Sequence, residues 1–107
     1  MKLRNTHAAA AAVAVAMTAW CGVAHAATGE EVIAAQKCNK CHTATTTKKG
    51  PSYASVAAKY KGNAGASAAL FKGLKAGGKL GEEDDHKKLE VSDDEIRAVV
   101  AVVLAAK

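Results

Sequence analysis

The chain has little sulfur and few aromatic side chains. Of its 107 residues three are cysteine and two are methionine, and both methionines, Met1 and Met17, lie near the N-terminus. Beyond residue 26 there are two tyrosines, one phenylalanine and no tryptophan. A segment so poor in large apolar side chains builds only a modest core, and small domains of this kind usually depend on a staple. We therefore expect a bound group to contribute to the stability of the fold.

Long apolar runs are also missing, because a membrane span takes about 20 strongly apolar residues. The nearest candidate, residues 8–19, is shorter and consists mainly of alanine and valine. It follows the basic residues Lys2 and Arg4 and precedes Ala24-His25-Ala26, which fits a small-residue cleavage site. We interpret residues 1–26 as a cleaved secretory signal peptide. Residues 27–107 then form one exported domain, expected in the periplasm without stable membrane insertion.

The two cysteines of that domain belong to the motif Cys38-Asn39-Lys40-Cys41-His42. C-x-x-C-H is the attachment pattern of a c-type haem. Two thiols at this spacing lie on one side of a tight turn, where each can add to a haem vinyl group, and the next side chain can bind the iron. The motif predicts one covalent haem c, attached through Cys38 and Cys41, with His42 as an axial ligand.

Two other interpretations of the motif require features that the chain lacks. A C-x-x-C redox pair is expected beside a βαβ pattern, and the sequence predicts no strand. A structural zinc site needs four ligands, whereas residues 27–107 contain no further cysteine and only one further histidine, His86. A chance match is the remaining alternative, and the upstream export signal favours the haem.

Capping signals predict the first and last helices of an all-α fold with about four helices around the haem. Thr28-x-x-Glu31 and Ser92-x-x-Glu95 are capping boxes. The first opens a short helix from about Gly29 to Lys37, which runs into the haem motif. The second opens a helix whose apolar residues keep the helical period to the C-terminus.

Hydrophobic periodicity predicts the two helices between them. Apolar residues recur at i, i+3, i+4 and i+7 from Tyr53 to Tyr60. A third helix is marked by apolar residues within 70–74 and ends at Gly77-Gly78. Residues 77–91 are expected to form an irregular loop.

With these residues in place, the chain resembles a short bacterial class I cytochrome c, which carries one haem. The resemblance rests on the C-x-x-C-H motif, on Gly50-Pro51, on residues 53–60 and on residues 91–95, which open the last helix. In that family the proximal histidine donates its second ring N–H to the backbone carbonyl of the proline. The resemblance therefore implies that Pro51 orients the ring of His42.

The chain departs from the family at the second axial ligand, which is usually a methionine in the loop before the C-terminal helix. That loop contains no methionine here, and His86 stands in the corresponding place. We predict ligation by His42 and His86, with a neighbouring carboxylate on the other ring nitrogen of His86. The alternatives are ligation by Lys87 or Lys88, or an open site with His86 in solvent. Imidazole in place of thioether sulfur lowers the reduction potential.

The predicted function is periplasmic electron transfer by a non-enzyme, a monomer whose partners are redox proteins and not nucleic acid. One alternative is a haem-based protein that binds or senses NO or CO at an open or displaceable distal site. Another is a domain-like subunit of a larger oxidoreductase. The chain carries a formal net charge of +5. Lys37, Lys40, Lys48 and Lys49 flank the motif, so we expect an acidic partner to dock there, although a solvated surface has the same composition.

Overall fold

The computed structural model describes residues 27–107, and the proposed signal peptide lies outside the described residues. The elements are α1 (Gly29–Ala35), a 3-10 turn (Cys38–Lys40), α2 (Tyr53–Lys59), α3 (Ala66–Ala76), β1 (Gly78–Leu80), β2 (Glu83–His86) and α4 (Asp93–Ala105). The predicted helical class with about four helices is confirmed. None of the helices in this range is long and apolar enough to cross a membrane.

The first and last helices begin at the predicted capping residues. Thr28 Oγ1 accepts a hydrogen bond from the backbone N–H of Glu31 at 3.2 Å. Ser92 Oγ accepts one from the backbone N–H of Glu95 at 3.3 Å and lies 2.9 Å from the carboxylate of the same residue. Each cap satisfies a backbone donor that has no partner inside its helix.

The core lies where α4 packs against the other three helices. The first two turns of α4 bury Ile96, Val99 and Val100, and Ile96 is 1% exposed. Partners come from α1, from α3 and from the segment before α4. The buried apolar residues of this cluster are Val32, Ile33, Leu70, Leu89, Ile96, Val99 and Val100.

The crossing of α1 and α4 requires a glycine. Gly29 is buried, and a Cβ atom built on it would lie 2.6 Å from Val102 Cγ2 and 2.7 Å from the backbone carbonyl carbon of Ala98. Both distances are too short for real contacts, so only the bare backbone of Gly29 fits. The close approach sets α1 firmly on the last helix, and α1 leads directly into the haem motif.

The segment after α3 corrects the prediction of an irregular loop without strands. β1 and β2 form a two-stranded antiparallel hairpin, in which Gly78 pairs with His86. The sequence missed it because the strands have three and four residues, too few for a visible alternation, and because Glu and Asp are depleted in strands. Gly77, Gly78 and Gly81 have φ of 70°, 79° and 62°, a region that favours glycine. A hairpin is not a βαβ unit, so the redox-pair interpretation gains nothing from it.

Candidate functional site

The C-x-x-C-H motif forms a tight turn directly after α1. Lys37 has a left-handed backbone, with φ 59° and ψ 32°, and α1 ends at Ala35, two residues earlier than predicted. The backbone N–H groups of Cys41 and His42 then both donate to the Cys38 carbonyl, at 3.1 and 3.0 Å. The two cysteines are half-buried. Burial raises the pKa of the Cys38 thiol, although the charge of Lys87 opposes the shift.

His42 is held by Pro51. Its Nδ1 lies 2.7 Å from the Pro51 carbonyl oxygen, which is the hydrogen bond that the family resemblance implied. Because a carbonyl oxygen only accepts, Nδ1 carries the proton and donates, and in the neutral ring Nε2 keeps its lone pair. The ring therefore presents Nε2 as a possible metal ligand, oriented by a partner on its other nitrogen.

Gly50 leaves room for the ring of His42. A Cβ atom built on Gly50 would lie 2.7 Å from Nδ1 and 3.0 Å from Nε2 of that ring. The N–H of Gly50 donates to the Cys41 carbonyl at 2.8 Å, so the loop folds back onto the motif. Sequence reasoning recognised Gly50 only as part of the Gly-Pro pair. Its steric role depends on a ring eight positions earlier, which local patterns do not reveal.

Tyr53 braces the motif through its hydroxyl group. The hydroxyl donates to Asn39 Oδ1 at 2.9 Å, and the ring centroid of Tyr53 lies 5.7 Å from that of His42. Burial, with a smaller contribution from Cys38, raises the pKa of Tyr53 to about 12. The hydroxyl therefore remains a protonated donor at neutral pH. The sequence placed Tyr53 on the apolar face of α2 and missed this contact, since Asn39 occupies an unconstrained position of the motif.

His86 lies close to His42. The centroids of the two imidazole rings are 6.1 Å apart and their planes are inclined by 30°. The Nδ1 of His86 donates to the Lys87 carbonyl oxygen at 2.8 Å, so in the neutral ring Nε2 again keeps its lone pair. The partner of Nδ1 is thus a backbone carbonyl, where the sequence suggested a neighbouring carboxylate.

The separation of the two rings fits one metal ion between them. Metal–imidazole bonds are about 2 Å long, and a ring centroid lies about 1 Å behind the bonding nitrogen, so imidazoles that share one ion have centroids roughly 6 Å apart. In residues 27–107 no group of three or more His, Cys, Asp or Glu side chains stands together as a metal site. The pair offers two ligands, and a macrocycle such as a porphyrin would supply the others. The donor set fits a haem.

Lys87, a rival ligand on sequence grounds, is hydrogen-bonded elsewhere. Its Nζ donates to the Gln36 carbonyl oxygen at 2.8 Å. This hydrogen bond joins the residue after β2 to the residue after α1. It brings the segment that carries His86 to the segment that carries the cysteines.

Comparison with known proteins adds the family to this geometry. The sequence profile of the family Cytochrome c matches residues 26–107. The chain belongs to the cytochrome c family. The resemblance found in the sequence is thereby confirmed, and the family implies a covalent haem c. The histidine in place of the usual methionine stays a prediction.

Individual relatives agree with the family. Cytochrome c-551 of Azotobacter vinelandii is 43% identical over 51 residues, which cover 48% of this chain and 62% of that protein. The class 1 cytochrome MtoD of Sideroxydans lithotrophicus ES-1 has a similar structure, with a TM-score of 0.66 and 34% identity over 72% of this chain and 90% of that one. Cytochrome c552 of Nitrosomonas europaea gives a TM-score of 0.63 and 25% identity, and covers 73% of this chain and 99% of the other.

Proposed function

We propose that this cytochrome c is a periplasmic electron-transfer protein whose haem iron is bound by His42 and His86. One observation carries the proposal: the ring centroids of His42 and His86 lie 6.1 Å apart, and each ring has its Nδ1 on a backbone carbonyl. Cys38 and Cys41 would hold the group through thioether bonds. When bound, haem c supplies an iron that accepts and releases one electron.

The backbone orients the imidazole rings of both His42 and His86. The carbonyls of Pro51 and Lys87 each hold an Nδ1–H, so each neutral imidazole keeps the lone pair of Nε2 for a metal ion. A lysine ligand would have to lose a proton near neutral pH, and the ammonium of Lys87 already donates to Gln36. These contacts favour His86 over Lys87 as the second ligand. Ligands fixed on both faces also limit how much protein moves when the charge on the iron changes.

A second imidazole has a consequence for the reduction potential. Ligation by methionine and histidine raises the potential of cytochromes c. Imidazole favours the ferric state, so this protein is expected to work at a lower potential than relatives with a methionine ligand. Its redox partners would then lie at a correspondingly lower potential.

The alternative function is the binding or sensing of a small ligand such as NO or CO. The observation that favours it is the position of His86 at the end of a short hairpin, half-exposed, with residues 82–85 exposed beside it. A ligand on so small an element is displaced more easily than one inside a helix. In this case His86 would not stay on the iron of the resting ferric protein, and a diatomic ligand would bind at the open position.

The experiment that separates the two functions is the low-temperature electron paramagnetic resonance spectrum of the air-oxidised holoprotein. Ligation by two imidazoles gives a low-spin ferric haem. A high-spin ferric spectrum would contradict the proposed ligation and favour the small-ligand binder.

A further inference from the structure

We propose that Lys87 is a positioning residue, whose side chain holds His86 against the haem motif; this inference rests on the ligation proposed above. The Nζ of Lys87 donates to the carbonyl oxygen of Gln36 at 2.8 Å, across 51 positions of the chain. Gln36 follows α1 directly and precedes Cys38 by two residues. The contact therefore fastens the residue next to the distal histidine to a residue two positions before the first thiol.

The hydrogen bond from Lys87 anchors residues 83–89, the segment that carries His86, beside the haem motif. On the N-terminal side of Lys87, β2 is held by its pairing with β1, in which His86 pairs with Gly78. On the C-terminal side of Lys87, Leu89 is 3% exposed in the core, and its N–H donates to the Leu74 carbonyl at 2.9 Å. The backbone contacts of these two anchors tie the segment to β1 and α3. The side chain of Lys87 adds a hydrogen bond to Gln36, directly after α1.

Lys87 acts on His86 at two points. Its backbone carbonyl accepts the Nδ1–H of His86 at 2.8 Å, while its ammonium donates to Gln36. The carbonyl and the side chain leave the same Cα atom, so a shift of Lys87 also moves the acceptor that orients the imidazole. The last turn of α1 contains no basic residue, and carbonyls at a helix C-terminus need donors from outside. Lys87 provides such a donor.

The inference predicts how easily an external ligand displaces His86. The apparent affinity of such a ligand rises in proportion to the fraction of molecules in which the iron is free of His86. Lys87→Met keeps most of the side-chain length and removes the ammonium. Because the bond is exposed its contribution is modest, and we expect exogenous imidazole to bind the variant on the order of fivefold more tightly than the wild type.

The chain offers three matched controls. Lys88→Met removes the same charge one residue away and should leave imidazole affinity unchanged. Lys87→Arg restores a cationic donor and should bring the affinity most of the way back. Gln36→Ala keeps the acceptor, because that acceptor is a backbone carbonyl, and should behave as the wild type.

The measurement is an optical titration of the ferric holoproteins with imidazole, with spin state followed by electron paramagnetic resonance. An affinity of Lys87→Met equal to the wild type, or an increase shared by Lys88→Met, overturns the inference. If Lys87→Met does not fold, Lys87→Gln replaces it, and failure of both to fold would make Lys87 a purely structural residue, against the inference. His86→Ala, titrated alongside, reports on the ligation itself. If it opens the site and Lys87→Met does not, the positioning role alone is wrong; if it changes nothing, the proposed ligation is wrong.

Discussion

The Nδ1 atoms of His42 and His86 are both hydrogen-bonded to backbone carbonyls, at 2.7 and 2.8 Å, and the centroids of the two rings lie 6.1 Å apart. A backbone carbonyl cannot donate, so each contact fixes the tautomer as well as the orientation of its ring. Two histidines from distant parts of the chain thus each have Nδ1 held by the backbone, which leaves Nε2 of each neutral ring available as a ligand. This equivalence supports the proposed ligation by His86.

His86→Ala should convert the ferric haem from low spin to high spin, because the variant removes the distal nitrogen and no methionine lies beyond residue 26 to replace it. His86→Met should stay six-coordinate and raise the reduction potential, since a thioether favours ferrous iron. Optical spectra and a redox titration measure both effects. Lys88→Ala is the control for the loss of a nearby side chain. A low-spin spectrum retained by His86→Ala would assign the second ligand to another residue, with the lysines 87 and 88 as the first to replace.

Removal of either motif cysteine should cost one thioether bond. Cys38→Ser and Cys41→Ser are each expected to hold haem through a single bond, and the double variant to hold none covalently. Denaturing mass spectrometry of the exported protein should show the wild-type chain from residue 27 with one haem added. Haem that extracts from the wild type into acidified organic solvent would contradict covalent attachment. The same spectrum tests cleavage after Ala26, because an uncleaved or differently cleaved chain has a different mass.

Gly50→Ala should damage the proximal side of the site. The new methyl group would overlap the His42 ring, at 2.7 Å from Nδ1, so either the ring leaves the Pro51 carbonyl or the loop moves. Overpacking of this kind typically costs about 1–3 kcal/mol of the free energy of unfolding. Denaturant unfolding of the holoprotein measures this cost, and a shifted spectrum would show the effect on the iron.

Gly65→Ala is the matched control for that experiment. The nearest atom to a Cβ at Gly65 is Asn63 Oδ1 at 3.4 Å, an ordinary contact. This variant should retain the wild-type spectrum and lose little stability. Equal effects of the two substitutions would mean that the room around His42 is not what Gly50 provides.

The helices were predictable from the sequence because their signals are local. The capping hydroxyls of Thr28 and Ser92 lie three residues from the N–H groups that they accept, and the apolar face of α4 repeats within one element. The C-x-x-C-H motif is equally local. The end of α1 was predicted two residues too late, because Lys37 has a left-handed backbone.

The contacts that orient the histidines were less accessible to the sequence. The family resemblance predicted the hydrogen bond from His42 to the Pro51 carbonyl. Nothing local indicated that the Lys87 carbonyl would accept a hydrogen bond from His86, or that the Lys87 side chain would donate one to Gln36. Both contacts depend on the hairpin, which the acidic composition of β2 concealed. Gly50 likewise gains its role from a ring that tertiary structure places above it. The residue types of the candidate site were thus readable, whereas the partners that orient them required the fold.

Tyr53→Phe should destabilise the protein by about 0.5–1.5 kcal/mol, the usual net contribution of one hydrogen bond. The variant keeps the ring beside His42 and removes the hydroxyl that donates to Asn39. Because the bond is exposed, water can satisfy Asn39 in part, and the lower end of the range is expected. Tyr60→Phe is the control, since the hydroxyl of Tyr60 has no side-chain hydrogen bond within residues 27–107. Chemical denaturation should therefore separate the two variants.

The lysines around the motif should steer an acidic redox partner. Lys37, Lys40, Lys48 and Lys49 are all exposed, whereas the acidic residues 82–85 lie on the hairpin. Attraction of this kind raises the association rate at low salt and is screened beyond about 10 Å at 0.1 M ionic strength. Electron transfer to an acidic acceptor, followed by stopped flow, should therefore slow as salt rises.

Lys48→Gln combined with Lys49→Gln should flatten that dependence. Lys72→Gln combined with Lys61→Gln removes the same charge from positions farther along the chain from the motif, and should leave the salt dependence closer to that of the wild type. A wild-type rate that is flat between low and physiological ionic strength would contradict docking at these lysines.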